Sequence, residues 1–378
     1  MEFTGLKYLV VGAGLFGSTI AERIATQLNE KVVVVDKRDH YGGNCHSQID
    51  SESGIEYHTY GTHIFHTSNY LVWKYMSMFT NFNGYFHQSL AMYNGRIYQL
   101  PINLETINTF FKVNLTPNEV DIFLKDEIVN IPNPQNLEEK ALATVGQSLY
   151  KAFILGYTRK QWGKHPRDLP ASTIERLPVR KNYNENYFFD KWQGEPEDGY
   201  SNIFQAMLDR PNIDVVLNTD FFDIKDKIPE DCSIIYTGAI DAYFNYKYGE
   251  LEYRSLELDK HVVRVEDYQG VSIMNHTDYN VRYVRTHEPR HLYPERNYTK
   301  EKTLIFREYS KGACNHDNLT YPVNTEATHK VYEMYAEEVK KSKNVLFGGR
   351  LGDYKYYDMD DTIAKALGMY HDRIWKIK

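Results

Sequence analysis

Two short apolar runs open the chain. Tyr8-Leu9-Val10-Val11 leads into a glycine cluster, and Val32-Val33-Val34-Val35 ends at Asp36. Unbroken runs of this length, bounded by glycine or charge, predict strands buried on both faces, as in a parallel sheet. The segment between them carries a helical pattern. Residues 104 to 160 read as largely helical. Thr116-Pro117-Asn118-Glu119 has the N-cap, proline and acid of a helix start, and Asn136-Leu137-Glu138-Glu139 offers another. The second leads into Ala141, Leu142, Val145, Leu149 and Phe153, an apolar stripe at helical spacing. Ile131-Pro132-Asn133-Pro134 separates the two helices. Residues 165 to 200 are polar, aromatic and rich in Pro and Gly, and the long loop around Pro166 to Arg180 predicts a lid. From about 233 to 310 the pattern becomes strand-like, over Ser233 to Tyr236, Arg254 to Val265, Val271 to Asn275 and Leu304 to Tyr309. The last segment returns to the opening style. It has a strand ending at Phe347, a tight turn at Gly348-Gly349-Arg350 and a helix from about Asp360 through Ile363, Ala366 and Leu367.

The glycine cluster reads Gly12-Ala13-Gly14-Leu15-Phe16-Gly17, and Asp36 follows Gly17 by nineteen residues. This spacing describes a dinucleotide-binding device. Gly12 permits a tight turn, Gly14 admits a pyrophosphate to the backbone, and Gly17 lets the helix pack closely on the sheet. The helix N-terminus offers free N–H groups to phosphate. Asp36 is placed to accept a hydrogen bond from a ribose hydroxyl. Gly42-Gly43-Asn44 then marks a second place where backbone must come close to a ligand. Such an acid-to-GG stretch tilts the cofactor from NAD towards FAD. Nucleotide-fold elements at both ends, with other material between them, predict an α/β fold. Its parts are a discontinuous Rossmann-like FAD-binding domain (1–77, 195–240 and 340–378), a helical domain (101–194, with a mobile substrate loop at 165–182) and an antiparallel β-sheet domain (78–100 and 241–339).

Bulk properties narrow the chemistry. The chain has 378 residues and a net charge of −7, so its surface as a whole does not attract nucleic acid, and an anionic ligand needs locally clustered Arg or Lys. Cys45, Cys232 and Cys314 show neither metal spacing nor a disulfide framework, which fits a reducing compartment. No apolar stretch approaches the roughly 18 residues of a membrane helix. The expectation is a cytoplasmic enzyme with no membrane partner and no metal. Tyrosine is abundant, at 32 residues; it packs well, and its flat face and polar tip also suit sugars, bases and phosphates. No Ser/His/Asp triad or carboxylate pair stands out.

Several stretches together resemble the UDP-galactopyranose mutase family of flavoenzymes, prokaryotic type. They are Gly61-Thr62-His63-Ile64-Phe65-His66-Thr67, Gly156-Tyr157-Thr158-Arg159-Lys160-Gln161-Trp162-Gly163, Leu169-Pro170-Ala171 with Arg176-Leu177-Pro178-Val179-Arg180, Asn186-Tyr187-Phe188, Leu251-Glu252-Tyr253-Arg254-Ser255-Leu256, and Gly348-Gly349-Arg350-Leu351 with Tyr354-Lys355-Tyr356-Tyr357-Asp358-Met359. They stand in family order and span nearly the whole chain. The resemblance implies an isomerase that interconverts UDP-galactopyranose and UDP-galactofuranose for cell-surface polysaccharide synthesis. It implies reduced FAD as catalyst, its N5 bonding covalently to the anomeric carbon of the sugar as UDP leaves and returns, with no net redox change. It further implies a homodimer, and NAD(P)H or another reductant as electron source.

The same resemblance assigns roles. Arg176 and Arg285 match the two diphosphate-binding arginines, and His63 lies against the isoalloxazine, where it can tune flavin protonation. Phe153, Tyr157, Thr158, Trp162, Tyr187 and Asn275 resemble uridine-side and substrate contacts, although Phe153 also continues the helical stripe. Tyr321 and Tyr356 resemble the pair that hydrogen-bonds the phosphate near the flavin. Lys37, Arg38, Gly43, Asn44, Ile64, Arg350, Asp358 and Met359 join the glycine motif and Asp36 as cofactor contacts, and His66 reads as structural. Departures from the family pattern fall near the sugar and diphosphate pocket: Arg282 in Arg282-Tyr283-Val284-Arg285, His87-Gln88-Ser89, Thr59 and Thr62. They leave open a relative of galactose as substrate: N-acetylgalactosamine, arabinopyranose or a dTDP-linked 6-deoxy sugar. An amine-oxidase-like flavin oxidoreductase and a non-catalytic dinucleotide-binding scaffold are the readings from other classes.

Overall fold

The computed structural model describes residues 3–174, 179–313 and 318–376. A five-stranded parallel sheet takes its strands from three distant parts of the chain. Their order is Val345–Phe347, Ser233–Tyr236, Tyr8–Val11, Val32–Val35 and Ile213–Val216. The unbroken apolar runs are explained by burial on both faces. Val10, Val32 and Val34 point to a core shared with Ile20, Phe204 and Ile363. Leu9, Val11, Val33 and Val35 point to the opposite core, with Tyr236, Phe347 and Tyr335. Alternation along a strand still operates, but both directions lead into protein, so every position is apolar.

The second sheet has seven strands, ordered Tyr321–Pro322, Tyr253–Val263, Thr303–Gly312, Arg285–His287, Ile273–His276, Ser89–Tyr93 and Arg96–Leu100. It is antiparallel except where Ile273–His276 runs parallel to Ser89–Tyr93, a pairing between distant segments that a purely antiparallel expectation omits.

The helical region between 104 and 162 packs a core of Ile107, Leu124, Ala141, Val145 and Leu149, closed by Tyr98 from the large sheet. The Asn136 side chain caps the helix Leu137–Thr144 by accepting from Glu139 N. The other expected start is displaced: Thr116 and Glu119 do bond to each other, but they close a turn, and the helix runs only over Val120–Leu124. The loop of 165–200 is less irregular than expected. It contains short 3-10 turns at Pro166–Asp168 and Ala171–Ile174, and Trp192–Gly194 forms a strand against Phe65–Thr67. Among the described residues, no helix is long and apolar enough to cross a membrane.

Candidate active site

The glycine turn sits at the C-terminal end of the parallel sheet. Gly12 has φ +105°, and a Cβ there would lie 2.0 Å from Thr237 Oγ1, on the turn after the neighbouring strand. A Cβ on Gly17 would lie 2.0 Å from the carbonyl oxygen of Gly12, so helix and turn touch backbone to backbone. Gly14 faces the second glycine pair: its added Cβ would meet Gly43 Cα at 3.6 Å. The two glycine stretches thus form opposing walls of one cleft, with about 1500 Å³ of empty space, part of it open to solvent. Asp36 lines it. Its Oδ2 accepts from Ala13 N at 2.8 Å and its Oδ1 from Arg38 N at 2.9 Å. Two N–H donors fix the carboxylate and leave it lone pairs for a ribose hydroxyl.

Leu15, Phe16, Lys37, Arg38, Asn44, His63, Arg350 and Met359 line the same cleft. Ile64 is buried beside Ile273 and Leu292. Asp358 stands at the N-cap of the helix Met359–Met369, so that helix begins at the cleft wall. Arg350 donates to the carbonyls of Thr320 and Tyr357 at 3.1 and 2.7 Å. Carbonyls satisfy its N–H groups without cancelling its charge, so a cation faces the cleft. These features fit FAD: two backbone walls for a pyrophosphate, a fixed acid for a ribose and a cation at the far end. Sequence reasoning missed part of the lining, notably Thr219, Phe222, Thr237, Tyr246 and Leu319. They come from turns and a one-turn helix, Phe221–Ile224, with no motif of their own.

His63 joins the cleft to the second half of the site. Its N–H donates to His58 Nδ1 at 3.0 Å, and its own Nδ1 lies 2.7 Å from Gly61 O. A carbonyl can only accept, so Nδ1 carries the proton and Nε2 is left as an acceptor. Burial, with the nearby Arg350 charge, brings the imidazole down to about 4, and the ring is neutral near pH 7.

Around it gather side chains from remote segments. Arg350 lies over the rings of Tyr356 and Tyr321, at 4.7 and 5.8 Å. Tyr321 reaches Tyr356 at 5.9 Å and Trp162 at 6.3 Å between ring centroids. Tyr157 is within electrostatic reach of Arg285, Tyr187 and Tyr321, and burial drives its phenol upward. Arg285 pairs with Glu308 at 2.7 Å. Burial alone would raise Glu308, but the Arg285 charge and a hydrogen bond from His287 hold it at about 2.

Three expected residues have partners within the fold. Phe153 packs among Tyr93, Tyr98 and Phe110 in the helical core, the reading its place in the stripe allowed. The Asn275 amide nitrogen is taken by Ser89 Oγ and Leu90 O, which join it to the neighbouring strand. Thr158 is buried on the helix Gly156–Trp162. Arg176 lies outside the described residues. His66 is structural, stacked on Phe188 and bonded to Asp190.

The motif residues that do not face the cleft hold those that do. Lys160 donates to the carbonyls of His276, Val281 and Tyr283 at 2.6, 3.0 and 2.9 Å, which pins the turn leading to Arg285. Burial lowers its ammonium to about 8. Arg254 Nε donates to Gln161 O at 3.0 Å and so caps the end of the helix that carries Tyr157 and Trp162. Arg180 donates to the carbonyls of Asn184, Asn186 and Tyr187, shaping the segment that presents Tyr187.

Comparison with known proteins agrees with this geometry. A sequence profile described as UDP-galactopyranose mutase matches residues 152–356, and one described as an NAD(P)-binding Rossmann-like domain matches residues 10–79. The chain is 39% identical to a dTDP-fucopyranose mutase of Escherichia coli, over 96% of each chain. It is also 39% identical to a probable UDP-galactopyranose mutase of Klebsiella pneumoniae, over 95% of this chain and 92% of that one. A crystal structure of reduced UDP-galactopyranose mutase superposes with a TM-score of 0.78 at 15% identity, covering 99% of this chain and 94% of that one, and shows the shared fold.

Proposed function

The chain belongs to the UDP-galactopyranose mutase family, and from that premise we propose that it interconverts the pyranose and furanose forms of a nucleotide-linked sugar, with FAD in its reduced state as cofactor. The observation that carries the reading is the meeting of two groups of residues: His63 and Arg350 line the glycine-walled cleft, Arg350 lies over Tyr321 and Tyr356, and Arg285 is within electrostatic reach of His63, Tyr157 and Tyr321. Bound and reduced, FAD would supply an electron-rich nitrogen, N5, as nucleophile toward the anomeric carbon, a covalent chemistry with no net redox change.

The chain's own residues do the rest. Arg285, its guanidinium pre-set by Glu308, offers a fork to the diphosphate and holds the leaving group close enough to return. Arg176 is assigned the second fork by its motif. Tyr321 and Tyr356 offer hydroxyls beside the Arg350 charge, where a phosphate oxygen is stabilised. Tyr157, Trp162 and Tyr187 offer faces and polar tips to the base. His63 presents a neutral nitrogen that accepts a hydrogen bond without adding positive charge next to an electron-rich ring.

UDP-galactose is the leading substrate. A dTDP-linked 6-deoxy sugar is the second, because the relatives named for each are equally similar to this chain. Protein reduced with dithionite and mixed with UDP-galactose, dTDP-fucose, UDP-N-acetylgalactosamine or UDP-arabinopyranose should give a furanose product from at least one of them. Quenching with cyanoborohydride should leave a flavin–sugar conjugate detectable by mass spectrometry. Oxygen consumption with peroxide release and no isomer would establish an oxidase instead.

A further inference from the structure

Arg285 is one end of a longer chain of bonds. Its Nε and Nη2 donate to Glu308 Oε1 at 3.0 and 2.7 Å. The other carboxylate oxygen, Oε2, lies 2.8 Å from His287 Nε2. His287 Nδ1 lies 2.8 Å from Thr62 Oγ1. Thr62 is the residue before His63, and Gly61, on its other side, provides the carbonyl that fixes the His63 tautomer. The middle of the chain is shut away from water: the His287 and Glu308 side chains are 3% and 1% exposed.

The roles in this chain follow from donor and acceptor chemistry. A carboxylate only accepts, so His287 Nε2 donates to Glu308. In the neutral ring Nδ1 then accepts from the Thr62 hydroxyl. Glu308 divides its two oxygens between guanidinium and imidazole, so a shift of Arg285 alters what Glu308 offers His287. Among the described residues, the other titratable groups within electrostatic reach of His287 include His58 and His87, and Arg285 stands two residues before it on the same strand.

We propose that His287, acting with Thr62, is a positioning residue that ties the anion clamp at Arg285 to the loop presenting His63, so that a diphosphate on the clamp alters the flavin's surroundings through this chain. The proposal rests on the mutase reading for what the two ends bind. Its test needs no turnover. Protein loaded with oxidised FAD is titrated with UDP, and the flavin difference spectrum and the UDP Kd are read together.

The wild-type protein is expected to show a UDP-induced flavin spectrum. Thr62→Val, which keeps the shape and removes the hydroxyl, should lose most of that spectrum while still binding UDP, and Thr62→Ser should restore it. His287→Gln should lose the spectrum and weaken UDP by about tenfold, the scale of one charge-assisted hydrogen bond. Full spectral response in both Thr62→Val and His287→Gln overturns the link. So does a loss in Thr62→Val that Thr62→Ser fails to restore, because shape and not the hydroxyl would then be responsible. Absence of any UDP-induced spectrum in the wild type overturns it as well. A protein that isomerises no sugar would strike the mutase reading and leave this measurement valid.

Discussion

At the flavin cleft, recognition is written in main chain: Gly12, Gly14, Gly17 and Gly43 work because they lack side chains, and Asp36 is held by backbone N–H groups. At the proposed anion clamp it is written in side chains. Arg285, Tyr157, Tyr321 and Tyr356 come from four separate segments. Glu308 and Lys160 hold Arg285 and the turn before it, and Arg254 holds the end of the helix that carries Tyr157. The first kind of site is compact in sequence and intolerant of any added atom. The second is scattered in sequence and intolerant of any lost charge. The two kinds should therefore fail in different ways.

Removing the clamp cation should have the largest effect. Arg285→Ala deletes the phosphate fork and strands the buried Glu308 carboxylate. Turnover of reduced enzyme should fall by about a thousandfold or more, and stability by roughly 3–5 kcal/mol. Turnover is read with reduced protein and excess substrate, and stability by denaturant unfolding. If activity survives, the clamp is misassigned.

Next come two alanines in the cleft that separate fold from ligand. Gly12→Ala must adopt a positive φ and clash with Thr237, so the apoprotein itself should lose about 1–3 kcal/mol and retain no FAD. Gly14→Ala meets Gly43 only at contact distance, so the apoprotein should melt as the wild type does while FAD content after purification drops sharply. Equal melting losses for both would erase the distinction between turn geometry and pyrophosphate access.

A smaller effect tests the supports of the clamp. Lys160→Met leaves three carbonyls of the turn before Arg285 without their donor, at a cost of about 1–3 kcal/mol. It should raise KM more than it lowers kcat, since the turn positions a binding group. An unchanged KM would mean that the turn holds itself.

The smallest expected effect lies in neither site. Glu195 is wholly buried, 3.8 Å from His58, and burial raises its carboxyl well above the ordinary range. The folded state keeps it protonated while the unfolded chain ionises near its normal value. It therefore costs stability as pH rises past that value. Glu195→Gln should melt a few degrees higher than wild type at pH 8 and no higher at pH 4. A constant offset at both values would show that Glu195 is not the titrating group.

What could be read without coordinates follows the same division. The apolar runs at Tyr8–Val11 and Val32–Val35, the glycine spacing and Asp36 form one local unit, because a turn and its two flanking elements are set by neighbours in sequence. The long insertion between the sheet segments was legible too, from helical periodicity and capping residues. Family motifs pointed to Arg285, Tyr321 and Tyr356, but nothing local explains why Lys160, Arg254 or Arg180 belong with them. Their partners are carbonyl oxygens, which every residue carries and no sequence pattern marks.

By itself, then, the sequence determined a Rossmann-like nucleotide-binding cleft and named the residue types of the proposed anion site, since strand burial and glycine geometry depend on short-range sterics. Only the tertiary structure decided that Phe153 is core, that Asn275 serves the next strand, and that Thr62, His287, Glu308 and Arg285 form one chain. The physical reason is that hydrogen bonds between side chains are directional and short. Four residues spread from 62 to 308 can satisfy one another only after the sheet has set their distances.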